Sequence, residues 1–105
     1  MGVVVICSFR PRPGKHDELL NVVGDHMDVL RSQGLATNRT PIVCKAQDGT
    51  IIEVFEWMSE KAIDEAHKNP VVRQLWDRYE ACCEYISLRD VAETASPFPG
   101  FEPVN

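Results

Sequence analysis

Apolar residues along this chain recur with two different periods, and the switch from one to the other marks out the elements. Val3 to Arg10 reads as a strand, with Val3, Val5, Cys7 and Phe9 on one face and Val4, Ile6, Ser8 and Arg10 on the other. Both faces begin apolar, so both need a cover. Pro11, Pro13 and Gly14 end this strand. From about Lys15 to Gln33 the spacing changes to threes and fours, with Leu19, Val22, Val23, Met27, Val29 and Leu30 as a helical stripe and Gly34 as the C-terminal stop. One residue is out of character there: His26 falls near the middle of the apolar arc.

Period two returns in Thr40–Gln47 and Ile51–Met58, which flank Asp48-Gly49 as a hairpin signal. In the second of these strands Ile51, Glu53, Phe55 and Trp57 share a face opposite Ile52, Val54 and Glu56. Ser59 suits an N-cap, and Ala62, Ile63 and Ala66 form the buried edge of a second helix, with His67 beside them. Asn69-Pro70 is a cap followed by an N1 proline, so a new helical piece starts after a bend. Its stripe is Val71, Val72, Leu75, Trp76, Tyr79, Cys82 and Cys83. Tyr85 to Val91 is expected as the last strand, with Ile86 and Leu88 alternating against Ser87 and Arg89. The domain is taken as residues 1–93, followed by a tail, 94–105. Pro97, Pro99 and Pro103 exclude helix or inner strand there, and Phe98 and Phe101 suggest an arm laid over a surface or a disordered end.

The resulting order, β-α-β-β-α-β, predicts an α+β domain of the ferredoxin-like type: a four-stranded antiparallel sheet with both helices on one face. Val4 and Ile6 would leave an apolar patch on the other face. Pairing of two such faces about a two-fold axis buries it, which predicts a homodimer.

Composition narrows the function. A chain of 105 residues holds one core, and 44% hydrophobic with 26% charged residues is ordinary for a globular protein. The net charge of −5 argues against nucleic acid as a partner. No apolar run approaches the roughly 20 residues of a membrane span, so no membrane partner is expected. Val3–Cys7 is too short for a signal-peptide core, and the cytoplasm is the expected location. Cys7, Cys44, Cys82 and Cys83 form no C-x-x-C pair and no zinc spacing, so free, mostly buried thiols are expected and no metal site. Hydrolase and nucleotide motifs are missing. Arg10, Arg12 and Lys15 surround the start of the first helix, where they could hold an anion but read as solvated charges.

Arg12-Pro13-Gly14-Lys15 after the first strand, Glu56-Trp57-Met58-Ser59 leading to Ala62, and Ala66-His67-Lys68-Asn69-Pro70 together resemble the antibiotic biosynthesis monooxygenase-like superfamily over residues 3 to 91. That resemblance implies dimeric α+β barrels with a cavity in each protomer between sheet and helices. It also implies oxygenation of small aromatic or polyketide-like compounds without cofactor in some members and haem degradation in others. The haem-degrading pattern carries an asparagine where this chain has Cys7, and a tryptophan ahead of a distal histidine where it has Ala66 and His67. Haem is therefore disfavoured, with His67 the residue open to axial ligation.

Within such a cavity His67 and His26 are the expected acid–base residues, because imidazole titrates near working pH. A half-exposed His67 and a satisfied core His26 are the bland readings beside these. Cys7, Trp76, Tyr79 and Trp57 are the expected walls of the binding site, and Tyr79 could also offer a hydroxyl to a ligand. The rival reading is a non-catalytic dimer whose cavity holds a small apolar ligand or is filled, as in a structural protein.

Overall fold

The computed structural model describes residues 2–105. Val3–Pro11 forms β1, followed by α1 (His16–Ser32), β2 (Ile42–Lys45) and β3 (Ile51–Trp57). Two helices, α2 (Glu60–Ala66) and α3 (Pro70–Cys82), lead into β4 (Cys83–Ile86), and a short β5 (Glu102–Pro103) closes the chain. The strands make one antiparallel sheet in the order β4-β1-β3-β2-β5. Among the described residues the fold is thus α+β with five strands and three α-helices; the expected four-stranded sheet gains a fifth strand from the tail.

Local chemistry places the boundaries. Gly34, at φ 71°, follows α1 in the left-handed conformation that a side chain with Cβ avoids. Ser59 accepts a hydrogen bond from the Ala62 N–H and caps α2. Asn69 accepts from both Val71 and Val72 and caps α3, with Pro70 at its first position. The bend between α2 and α3 is therefore written in the sequence. In the hairpin only Gly49 takes positive φ, at 93°, while the Asp48 carboxylate accepts from the Thr50 N–H. The connection is consequently longer than a two-residue turn, and β2 is shorter than the expected Thr40–Gln47.

Two further expectations change. The last strand starts at Cys83 and stops at Ile86, not Tyr85 to Val91; Leu88–Asp90 instead forms a 3-10 turn. Cys83 accordingly leaves the helical stripe, and Val71 lies exposed rather than in it. The tail is an arm on its own sheet. Val104 N–H donates to the Val43 carbonyl at 2.8 Å, and the Asn105 side chain both accepts from Val43 N–H and donates to the Pro41 carbonyl. Pro103 fits because β5 is an edge.

The two faces of the sheet have different covers. Phe9, Val43 and Ile51 lie under Leu19, Val22 and Val23 of α1 and Leu75 and Tyr79 of α3. Farther along, Phe55 and Trp57 meet Met27, Leu30, Ala62, Ala66 and Val72. On the opposite face Ile52 packs with Val91, and Leu88 and Phe101 lie against that pair. The tail covers only this end. Beyond it, Ile6 pairs with Val54, which pairs with Ile42, so the register draws one apolar row across three strands. Ile6 is 50% exposed and Ile42 61%, with Val4 at 56% beside them. Among the described residues no helix is long and apolar enough to cross a membrane.

Candidate functional site

Strand alternation puts Glu53 on the helix-facing side of β3, between Cys7 of β1 and Val43 of β2. The result is a carboxylate with no exposure at all in the middle of the core. Burying such a group unpaired costs several kcal/mol, so the fold has to bring it donors. It brings two. The helical period centres His26 in the buried stripe of α1, and its Nδ1 stands 2.9 Å from both Glu53 oxygens. From α3 the Tyr79 hydroxyl donates to Glu53 Oε1 at 3.2 Å. An ionised carboxylate only accepts, so Nδ1 carries the hydrogen.

That geometry leaves the other nitrogen of His26 free. Nε2 has no hydrogen-bond partner among the described residues and is not sealed from solvent, and the ring lies on the wall of a cavity of about 570 Å³. Phe55 and Tyr79 meet the imidazole edge-on, at centroid distances of 5.0 and 5.2 Å, and fix its plane. A carboxylate thus holds His26 through Nδ1, and the ring forms part of the wall of a mostly apolar cavity.

The cavity exists because β4 is short. Its four residues pair with Ser8–Pro11, and the Val3–Cys7 half of β1 has no strand on that side among the described residues. The opening runs from Tyr85 and Ile86 past Cys7 to the α2–α3 bend. His67 caps the C-terminus of α2 at this bend and is exposed. Its Nδ1–H donates to the Ile63 carbonyl at 2.8 Å, which leaves Nε2 as the free nitrogen, and its ring meets Trp76 edge-on at 5.0 Å.

The structure therefore brings His26, His67, Cys7, Trp76, Tyr79 and Trp57 to one cavity. One of their parts differs from the expected one. Tyr79 spends its hydroxyl on Glu53, so it is a wall and a support rather than a free donor. Cys7 is a poor nucleophile, since burial first and the Glu53 charge second push its thiol up to about 12. Glu53 itself is the residue that sequence reasoning missed. The signal was present: one lone carboxylate on a buried strand face and one lone imidazole on a buried helix face need each other.

The basic residues near α1 assemble no anion site. Arg10 pairs with Asp48, Arg12 with Glu84 and the Glu80 carbonyl, and Lys15 with Glu18, all exposed. All four cysteines are free. Compared with protein-family models, curated proteins and solved structures, the chain finds no significant match in any of the three.

The thiols make stability fall in alkali. Cys7 and Cys83 both rise from 9.0 to about 12 in the fold, burial being the main cause for each. Unfolded thiols lose their protons first, so this contribution is complete below pH 9 and is lost as pH rises from 9 to 12. Urea midpoints measured across that window should decline, and Cys7→Ala should make the decline shallower. A slope identical in the variant would contradict the placement of Cys7.

Proposed function

We propose that the chain is an oxygenase-like enzyme that removes a proton from a small aromatic or polyketide-like substrate, working as a homodimer of ferredoxin-like domains of the antibiotic biosynthesis monooxygenase-like kind. The observation that carries the reading is the Glu53–His26 pair on the wall of the cavity, held through Nδ1. Aromatic rings of Phe55, Trp57 and Trp76 suit a flat ligand, and the cavity volume lies in the range of small-molecule sites. The strand order β4-β1-β3-β2 agrees with the ferredoxin-like reading, and β5 is an addition at its edge.

His26 Nε2 takes the proton from an activated C–H, and Glu53 steadies the imidazolium that forms. The carbanion supplies electrons to dioxygen and forms a C–O bond. The peroxide oxygen takes the proton back from His26. Loss of water from the hydroperoxide leaves a carbonyl where the CH₂ had been, and the atoms balance without a metal or flavin. His67 at the mouth is placed to accept a hydrogen bond from a substrate hydroxyl.

The rival reading, a non-catalytic dimeric ligand-binding protein, has its own support. Glu53 is satisfied by His26 and Tyr79 before any ligand arrives, as a purely structural pair would be. Oxygen uptake and solvent-deuterium exchange with anthrone, naphthol and 1,3-diketone probes separate the two. The enzyme reading expects His26→Gln to lower the rate by about 100-fold or more, with a smaller loss for His67→Gln. Full rate in His26→Gln, or no exchange with any probe in the native chain, would contradict it.

The dimer reading rests on the exposed Val4, Ile6 and Ile42 on either side of the half-buried Val54, which a second copy would bury face to face. Light scattering should show a dimer that Ile6→Lys converts to monomer. A monomeric native chain, or a variant that stays dimeric, would contradict this assembly.

A further inference from the structure

The charges around the cavity are unequal. Its lining includes no lysine and no arginine. Glu80 stands at the rim with no ion-pair partner among the described residues, and Glu53 lies behind His26 and Cys7. Arg12, which reaches this wall, is committed to the Glu80 carbonyl and to Glu84. Even with His26 and His67 both protonated, these groups bring the cavity only to neutrality; otherwise it is negative. Two groups on the wall register that field. After burial, Glu53 is the further cause that pushes up Cys7, and Glu80 and Asp77 are among the causes that push up Tyr85. Six aromatic rings line the same space, and the faces of such rings attract cations.

We infer that the cavity selects its ligand by charge: it takes a flat ring system that carries a protonated alkyl amine and refuses the same ring carrying a carboxylate, sulfate or phosphate. The inference rests on the functional reading above in taking this cavity for the ligand site, and it names the substrate class of that site. An anion would enter against Glu80 at the rim and against the buried charge of Glu53, which water screens poorly, with no lysine or arginine in the lining to receive it. An ammonium group at the rim instead meets Glu80 and ring faces, while the ring reaches His26. Its positive charge would also offset the negative charge that develops when His26 removes a proton.

Three probes of one skeleton test this: 2-(aminomethyl)naphthalene, 2-(hydroxymethyl)naphthalene and 2-naphthoate, titrated calorimetrically into the full chain at pH 7. The amine should bind at least about tenfold tighter than the carboxylate, with the alcohol between them. Glu80→Gln, a change on an exposed helix surface, should narrow the gap between amine and alcohol. Carboxylate binding equal to or tighter than amine binding would overturn the inference, as would failure of all three to bind. The same titration on His26→Gln keeps the two readings apart. Loss of proton transfer with the amine preference intact is expected if both hold. Amine preference in a native chain that exchanges no proton would end the enzyme reading and leave the charge selection standing.

Discussion

A carboxylate buried without exposure on the central strand β3 sets the terms for everything around it. Glu53 cannot be ionised in that position unless donors reach it, and the donors come from two different helices. His26 and Tyr79 are therefore constrained in rotamer, and α1 and α3 are constrained in their placement over the sheet. The Asp25–Arg78 contact at 3.0 Å adds a surface tie between the same two helices, but exposed pairs of this sort contribute little. Removal of one partner from the buried pair would cost about 3–5 kcal/mol, far more than loss of the surface tie.

The second constraint is the length of β4. A strand that continued to Val91 would cover the open half of β1 and fill the approach to His26. The chain turns away at Ser87 instead, and the residues that follow pass to the opposite face, where Val91 and Leu88 pack near Ile52. One change of direction thus opens the cavity on one side of the sheet and covers part of the other. The tail finishes that cover and hydrogen-bonds along the outer edge of β2, which protects an otherwise bare strand.

Much of the framework could be read from residue pattern alone, because the signals were local. Ser59, Asn69-Pro70 and Gly34 fix helix ends through chemistry within a few residues of themselves. The period of Leu19–Leu30 assigns the buried face of α1 correctly, whereas the alternation in Ile51–Trp57 sorts two faces without saying which of them meets the helices. What could not be read depended on contacts distant in sequence. Ile86 and Leu88 alternate like a strand, yet the 3-10 turn at Leu88 follows from packing against Ile52 and Val91. The strand at Glu102–Pro103 depends on Asn105 reaching Pro41 and Val43, some sixty positions away. In the site, His26 stood out as polar on an apolar face, whereas Glu53 passed as an ordinary strand carboxylate. Only their meeting, 27 positions apart, gives either one a role.

One proton decides how the site works: it sits on Nδ1 of His26 in a hydrogen bond to Glu53, and Nε2 is then the nitrogen available to a ligand. Nitrogen-15 NMR of the histidine rings at pH 8 tests it most directly. The account predicts a single His26 tautomer, with a protonated, slowly exchanging Nδ1 and an unprotonated Nε2. A proton on Nε2 with Nδ1 bare, or a ring that averages its tautomers as free imidazole does, would contradict it.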